Sequence, residues 1–164
     1  MKDAFGGLFT IQLIVIFVII INSYLAFSVN YTKAFRVKNE IRSIIEKQEG
    51  LTCDAIEQID DLFERVKYRP NSGFNSWCSK NGYEVQETDH GSFCWKFQKV
   101  DVTGNYENNQ IYKGGYYTIA TFVNVDIPLV NKIYPFAGNL FLVKGETALI
   151  YSSGLGHDGA PRGC

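Results

Sequence analysis

The longest apolar run of the chain lies close to its first residue. From Leu8 to Val29 no residue carries a charge, and a helix needs about 20 such residues to cross the hydrocarbon core of a bilayer. The pattern therefore predicts a transmembrane segment at residues 8–29. Three polar residues interrupt it: Gln12, Asn22 and Ser23. Each either hydrogen-bonds a neighbouring helix, which favours assembly, or is tolerated near the membrane interface.

The helical pattern continues beyond the membrane segment. Neither Pro nor Gly interrupts the chain from Leu8 to Glu49, so we expect one helix of about 63 Å at 1.5 Å per residue. Its second half carries an apolar stripe at spacings of three and four, formed by Ala34, Val37, Ile41, Ile44 and Ile45. A secretory signal peptide cut after Ser28 is the alternative. The continuous pattern favours an anchor, because a signal peptide needs no such extension.

A second, shorter helix is predicted after the first. Gly50 is expected to end the long helix, and Thr52 is a suitable N-cap for the next one. Pro70 follows the end of that helix. Its apolar stripe should pack on the stripe of the first helix and contains Ile56, Ile59, Leu62, Phe63 and Val66.

After Asn71 the pattern changes to the two-residue alternation of strands. Alternation indicates four strands: near Tyr83 and Val85, from Phe93 to Phe97, from Tyr117 to Ile127 and from about Leu140 to Tyr151. Val100 and Val102 alternate out of phase with Phe93–Phe97, which predicts a bulge before them. Turns are expected at Thr103–Asn109 and, as a turn or bulge, at Gly114–Gly115. The expected fold is α+β: a long N-terminal helix, a short second helix and a small antiparallel sheet. We expect the folded domain to span residues 50–153, followed by a Gly-rich tail at 154–164.

Composition and charge exclude one class of function. The chain of 164 residues is 46% hydrophobic and 20% charged, with a formal net charge of -1, which is typical of one globular domain. No run of Lys or Arg is dense enough to follow a phosphate backbone. Nucleic acid is therefore excluded as a partner.

The four cysteines are too far apart for a thiolate metal site. Their even number behind a hydrophobic leader indicates two disulfides and an oxidising compartment, although four buried thiols would give the same sequence. Four cysteines allow three connectivities. We favour Cys78 with Cys94, which closes a short loop, and this leaves Cys53 with Cys164.

The orientation of the anchor rests on two opposed signals. Only Lys2 precedes the segment, whereas four basic residues follow it. The positive-inside rule therefore places the C-terminal side of the segment, with the folded domain, in the cytoplasm. The cysteines place the domain outside the cytoplasm. We favour the orientation that the cysteines indicate, because basic residues also form the solvated face of an amphipathic helix. The four basic residues in question are Lys33, Arg36, Lys38 and Arg42.

Candidate catalytic groups lack a third convergent partner. His90 follows Asp89 and His157 precedes Asp158, and exposed loop residues are the simpler interpretation. Ser152 and Ser153 lack the context of a nucleophile elbow, and the carboxylates at Asp60 and Asp61 fit the solvated face of a helix. We expect no enzyme activity, no cofactor and no metal.

The run Gly6-Gly7-Leu8-Phe9-Thr10-Ile11-Gln12-Leu13-Ile14-Val15 resembles the start of type IV pilins and pseudopilins. Those proteins carry a short leader ending in Gly before a long hydrophobic helix. The resemblance implies a leader of residues 1–7 and cleavage before Leu8 by a prepilin peptidase. It departs at Gln12, where the family has a glutamate that pairs with the N-terminal amine of a neighbouring subunit.

The layout of the remaining chain is similar to the TadE-like minor pilins of tight-adherence (Tad, or Flp) systems. The matching features are the anchor, the run from Lys33 to Asn39, a second short helix and late strands such as Phe122 to Pro128. This resemblance implies a structural subunit, held by a single membrane pass or in a surface filament, whose partners are other pilin-like subunits. The assembly helix would include Phe9, Gln12 and Asn22.

Two other classes of function are compatible with the sequence. The first is a membrane-anchored surface binding module that contacts a ligand or wall polymer through an aromatic sheet containing Trp77, Trp95, Tyr116 and Tyr117. The second is a small secreted enzyme released after Ser28.

Overall fold

The structure, a computed structural model, describes residues 2–68, 73–102, 112–122 and 142–150. These residues form the helices α1 (Lys2–Lys47), α2 (Cys53–Val66) and α3 (Phe74–Lys80) and the strands β1 (Glu84–Glu87), β2 (Ser92–Val102), β3 (Tyr112–Phe122) and β4 (Leu142–Glu146). A long apolar N-terminal helix, two short helices and a small antiparallel sheet confirm the predicted α+β class.

The long helix α1 is unbroken, but its end differs from the prediction. It ends at Lys47 rather than Glu49. Two residues with positive φ form the turn that follows, Glu49 at 53° and Gly50 at 149°, and the Gly50 N–H donates to the Ile45 carbonyl at 3.0 Å. Gly50 is therefore needed at the turn as predicted, while Glu49 lies outside the helix. At the other end, the backbone of residues 2–7 is helical as well.

The second helix, α2, agrees with its sequence signals. Its N-cap is Thr52, whose side-chain oxygen accepts a hydrogen bond from the Ala55 N–H at 3.2 Å. It ends at Val66, followed by Lys67 in the left-handed conformation. Its stripe packs against that of α1, as predicted, in a core that includes Val37, Ile41, Ile45, Ile59, Leu62 and Phe63.

The second half of α1 is also joined to the sheet. The Thr121 hydroxyl on β3 donates to the Ala34 carbonyl at 3.1 Å. About three turns further along, the Glu46 carboxylate accepts a hydrogen bond from the Ala148 N–H at 2.6 Å, just after β4. This half of the helix is therefore part of the folded domain and is held near both of its ends.

The sheet is antiparallel throughout, in the order β1-β2-β3-β4. The β2–β3 register is continuous from Cys94 opposite Ala120 to Val102 opposite Tyr112. The predicted bulge before Val100 is therefore wrong. The change of phase arises because Phe93, Trp95 and Phe97 share the face that packs on α1 and α2, while Val100 points to the opposite face.

Gly114 and Gly115 lie inside β3, paired with Val100 and Lys99, so the predicted turn or bulge there is wrong. The Phe97 ring covers Gly115: a Cβ atom there would lie 2.6 Å from one ring carbon and 2.8 Å from the Gln98 carbonyl oxygen. Glycine in this strand therefore admits a close approach of an aromatic ring.

Helix α3 is not predicted by the sequence, because the pattern after Asn71 indicates strands alone. It is only seven residues long, and its N-cap, Gly73, offers no side chain. Buried Phe74 and Cys78 pack it on the sheet face opposite to α1 and α2. Tertiary burial therefore fixes this helix, since an isolated helix of this length is unstable.

Several predicted features lie wholly or partly outside the described residues. They are the turn at Thr103–Asn109, the strand residues from Val123 to Ile127 with Pro128, and the tail at 154–164. The last strand is shorter than predicted, since β4 spans Leu142–Glu146 and is followed by a single bridge between Ile150 and Gly115.

Candidate functional site

The first half of α1 presents a bare apolar surface. Within the described residues, one helix is long and apolar enough to cross a membrane; it has a mean hydropathy of 2.3, and none of its apolar window is buried. Between Phe9 and Val29, fourteen large apolar side chains are 41–68% exposed. A surface of this size is expected to be covered by lipid or by other apolar helices.

The polar residues of this segment behave differently from one another. The Asn22 side-chain amide donates to the Val18 carbonyl and the Ser23 hydroxyl to the Ile19 carbonyl, both at 2.8 Å. The Ser23 hydroxyl donor is thus satisfied within the helix, whereas the Asn22 amide uses one of its two N–H donors there and keeps the other, with its carbonyl oxygen, for a neighbouring helix. Gln12 is exposed and makes no side-chain hydrogen bond within the part of the chain that the structure describes.

The residues of the expected leader junction lie in the first turns of α1. Gly7 is exposed, and a Cβ atom added to it would meet no other atom within 4 Å. Phe9 is 63% exposed. The Gly7–Leu8 bond is therefore placed in a helix without tertiary packing around Gly7, and a larger side chain fits there.

A groove lies where α1 leaves the apolar segment. The Lys33 ammonium donates to the Lys67 carbonyl, just after α2, at 2.9 Å. Beside this contact lies a groove of about 450 Å³, which is lined by Ser28, Val29, Thr32, Lys33, Arg36, Val37, Glu40 and Val66. The groove combines two cations with apolar walls at the end of the candidate membrane segment.

A second groove, of about 750 Å³, continues between α1 and α2 away from the apolar segment. It holds acidic and basic side chains together, including Glu40, Lys47, Asp61 and Arg65. With both signs of charge mixed along its walls, it favours neither anions nor cations.

The cysteine pairing follows the favoured connectivity for one pair. Cys78 on α3 is bonded to Cys94 on β2, with Cα atoms 6.1 Å apart, a usual separation for a disulfide. Both residues are fully buried. Cys53 is disulfide-bonded as well, but Cys164 lies outside the described residues, so its pairing with Cys53 stays a prediction.

His90 meets a partner that its sequence neighbours do not reveal. Its ring Nδ1 lies 2.8 Å from Asp60 Oδ2, and its backbone N–H donates to Asp60 Oδ1 at 2.9 Å. The interpretation of Asp60 as part of a merely solvated face is therefore wrong. The carboxylate of Glu64, one turn along α2, lies 4.0 Å from the other ring nitrogen.

These contacts move both pKa values. The hydrogen bond to Asp60 raises the pKa of His90 and outweighs the small effect of burial. Burial acts to raise the pKa of Asp60, but hydrogen bonds from the His90 ring, the Thr88 hydroxyl and the His90 N–H together hold it below its usual range. When the imidazole is protonated, the pair joins α2 to the β1–β2 turn as an ion pair.

The contacts of this pair link α2 to the turn between β1 and β2. The Thr88 hydroxyl donates to the Gly91 carbonyl at 3.0 Å and contributes to the low pKa of Asp60, but it makes no bond to the imidazole, so it is not activated as a nucleophile. No group of three or more His, Cys, Asp or Glu side chains suited to a metal occurs within the described ranges. His157, Ser152 and Ser153 lie outside those ranges.

The aromatic binding surface proposed as an alternative is not assembled. Trp95 is 2% exposed and Tyr117 is fully buried, and both lie in the core under α1 and α2. Trp77 is partly buried on the opposite face, with the Lys144 ammonium 5.3 Å from its ring centroid. The Tyr116 hydroxyl bonds to the Gln98 side chain. Two of the four aromatic residues are thus core residues.

Comparisons with models of protein families, with curated proteins and with solved structures gave no match for this chain.

Proposed function

We propose that the chain is a pilin-like structural subunit, a minor pilin or pseudopilin of a type IV or tight-adherence system. It acts by helix-mediated assembly. The supporting observation is the division of one unbroken helix: the first half of α1 is bare and apolar, while the second half is built into the core of the domain.

This division gives the helix two functions. Residues 8–29 lie in the membrane before assembly and pack between subunits in the filament, where neighbouring apolar helices replace lipid. The hydrogen bonds at Ala34 and Glu46 join the helix to the sheet near both ends of the packed half. A load on the helix is therefore passed to the whole domain, as a filament subunit requires.

We place the domain outside the cytoplasm, because the Cys78–Cys94 disulfide is stable in an oxidising compartment. Gln12 supplies no carboxylate for a neighbour's N-terminal amine, which favours a minor subunit that joins other pilin-like chains. The alternative of a surface binding module is weakened by the burial of Trp95 and Tyr117.

Leader cleavage is tested by the intact mass of the mature protein. The expected result is loss of residues 1–7 in cells that contain a prepilin peptidase. A Gly7→Leu variant should retain these residues, because leaders of this family end in Gly, and its helix should be undisturbed, since a Cβ atom at Gly7 meets no other atom within 4 Å. Gly6→Ala is the control and is expected to be cleaved. Loss through Ser28 would instead indicate secretion, and an unchanged N-terminus would indicate a plain anchor.

Assembly is tested by photo-crosslinking in membranes. A crosslinking residue at Ile16, which is 46% exposed, is expected to capture another pilin-like subunit, whereas one at fully buried Ile41 is not. Absence of protein crosslinks at Ile16 and at two further exposed positions of the segment would contradict assembly through this helix.

A further inference from the structure

We propose that the groove between α1 and the end of α2 binds the phosphate of an anionic phospholipid, with Arg36 as the main ligand and Lys33 beside it. The inference rests on the membrane-spanning part of the proposed function and does not depend on filament assembly. This groove, which lies beside the hydrogen bond from Lys33 to the Lys67 carbonyl, is called the headgroup groove.

The position of the cations along the helix matches the headgroup layer. Lys33 and Arg36 lie about 6 Å and 10 Å beyond Val29 along the helix axis, and the headgroup layer of one leaflet is about 5–8 Å thick. Helical side chains tilt toward the N-terminus, so the Arg36 side chain extends back toward the membrane. Both cations therefore reach the depth of the lipid phosphates.

Arg36 has an acidic residue close by but does not pair with it. Glu40, one turn further along α1, lines the same groove, yet Arg36 forms no ion pair or hydrogen bond within residues 2–68, 73–102, 112–122 and 142–150. The same spacing does produce a pair at Arg42, whose Nε lies 2.8 Å from the Glu46 carboxylate. The guanidinium of Arg36 is thus available for a bidentate contact with a phosphate.

The rest of the headgroup groove suits a lipid rather than a soluble anion. Lys33 donates one of its three N–H groups to the Lys67 carbonyl and keeps two for an anion. Val29 is 68% exposed at the membrane end, where it can contact the glycerol and the first acyl carbons. Glu40 lies at the far end and repels an anion that enters from the water side.

The test uses the full chain in detergent micelles and native mass spectrometry. The probes are phosphatidylglycerol, phosphatidylcholine and soluble glycerol phosphate. Wild type is compared with Arg36→Gln and with Arg42→Gln, which removes the same charge about 9 Å further along the helix. We expect phosphatidylglycerol to bind more tightly than phosphatidylcholine. Arg36→Gln should weaken it about tenfold, as expected for the loss of one charge-assisted contact, and Arg42→Gln should weaken it less than twofold.

Four results would overturn the proposal: equal binding of the two lipids, an equal loss in both variants, equally tight binding of glycerol phosphate, or loss of a dimer rather than of lipid in Arg36→Gln. The last would show that an acidic side chain of a second copy occupies the groove. Flotation with vesicles of neutral lipid tests the membrane anchor separately from the headgroup groove. A protein that does not span the membrane fails to float with these vesicles whatever its charge, whereas a protein that lacks only the phosphate contact still floats.

Discussion

The His90 imidazole and the Asp60 carboxylate hold α2 against the turn between β1 and β2. Locally, His90 has an acidic neighbour in Asp89, but the residue that binds it lies thirty positions earlier in the chain. Only the packing of α2 on the sheet brings the two together. A sequence pattern has no period that would reveal such a pair.

The pair makes stability depend on pH, with a sign that follows from the two shifts. The pKa of His90 is raised above its ordinary 6.5, so its contribution is complete below pH 6.5 and is lost as pH rises through the raised value. The pKa of Asp60 is lowered below 3.8, so its contribution is lost only as pH falls through that lowered value. Stability from the pair is therefore greatest between about pH 4 and 6.5.

An NMR titration of the imidazole in micelles checks this. We expect His90 to titrate above its ordinary value in wild type and to return toward that value in Asp60→Asn. Asp61→Asn is the matched control, because Asp61 faces the groove with Arg65 and makes no contact with His90. An unchanged His90 titration in Asp60→Asn would show that the ion pair does not form.

Gly115 provides a second prediction at a single residue. Gly115→Ala places a Cβ atom against the Phe97 ring and the Gln98 carbonyl, and we expect a loss of about 1–3 kcal/mol in the free energy of unfolding. Gly145→Ala is the comparison, since the atoms it meets are the outer methylenes and the ammonium of Lys38 rather than an aromatic ring and a backbone carbonyl. Thermal unfolding followed by near-UV circular dichroism compares the two. Equal losses would mean that the ring can move aside.

At the scale of elements, α3 depends on its disulfide more than on its own sequence. Seven residues without a side-chain cap do not form a stable isolated helix. Cys78 joins α3 to the second strand, and Phe74 packs against Phe122 with ring centroids 4.9 Å apart. The disulfide and the burial of Phe74 together therefore fix an element that the sequence does not predict.

We expect the Cys78→Ser/Cys94→Ser variant to lose about 3 kcal/mol in the free energy of unfolding, the chain-entropy value for a loop of this length. Hydrogen exchange should show early loss of protection in α3. As a control, reductant should destabilise wild type more than this variant. Retained protection of α3 in the variant would mean that burial of Phe74 alone suffices.

For the whole molecule, the cysteines and the basic residues indicate opposite orientations in the membrane: the cysteines indicate a domain outside the cytoplasm, and the basic residues a domain inside it. With the domain in an oxidising compartment, alkylation in denaturant, which exposes both buried residues, should modify neither Cys78 nor Cys94 before reduction and both after it. Peptide mass analysis locates the modified residues. Modification without reduction would place the domain in the cytoplasm, as the basic residues after Val29 indicate by the positive-inside rule.

The sequence by itself determined the parts of this protein that depend on local chemistry. A charge-free run of sufficient length predicts the apolar helix, Thr52 and its stripe predict α2, and alternation predicts the central strands. These signals lie within a few turns or strand residues of one another, so each is visible in a short window of sequence.

Tertiary structure alone decided the rest. The continuous β2–β3 register, the place of Gly115 beneath Phe97, the formation of α3 and the pairing of His90 with Asp60 all join residues far apart in the chain. The headgroup groove likewise exists only because the end of α2 lies beside α1. Such contacts form through packing of whole elements, and packing has no signature in a local pattern.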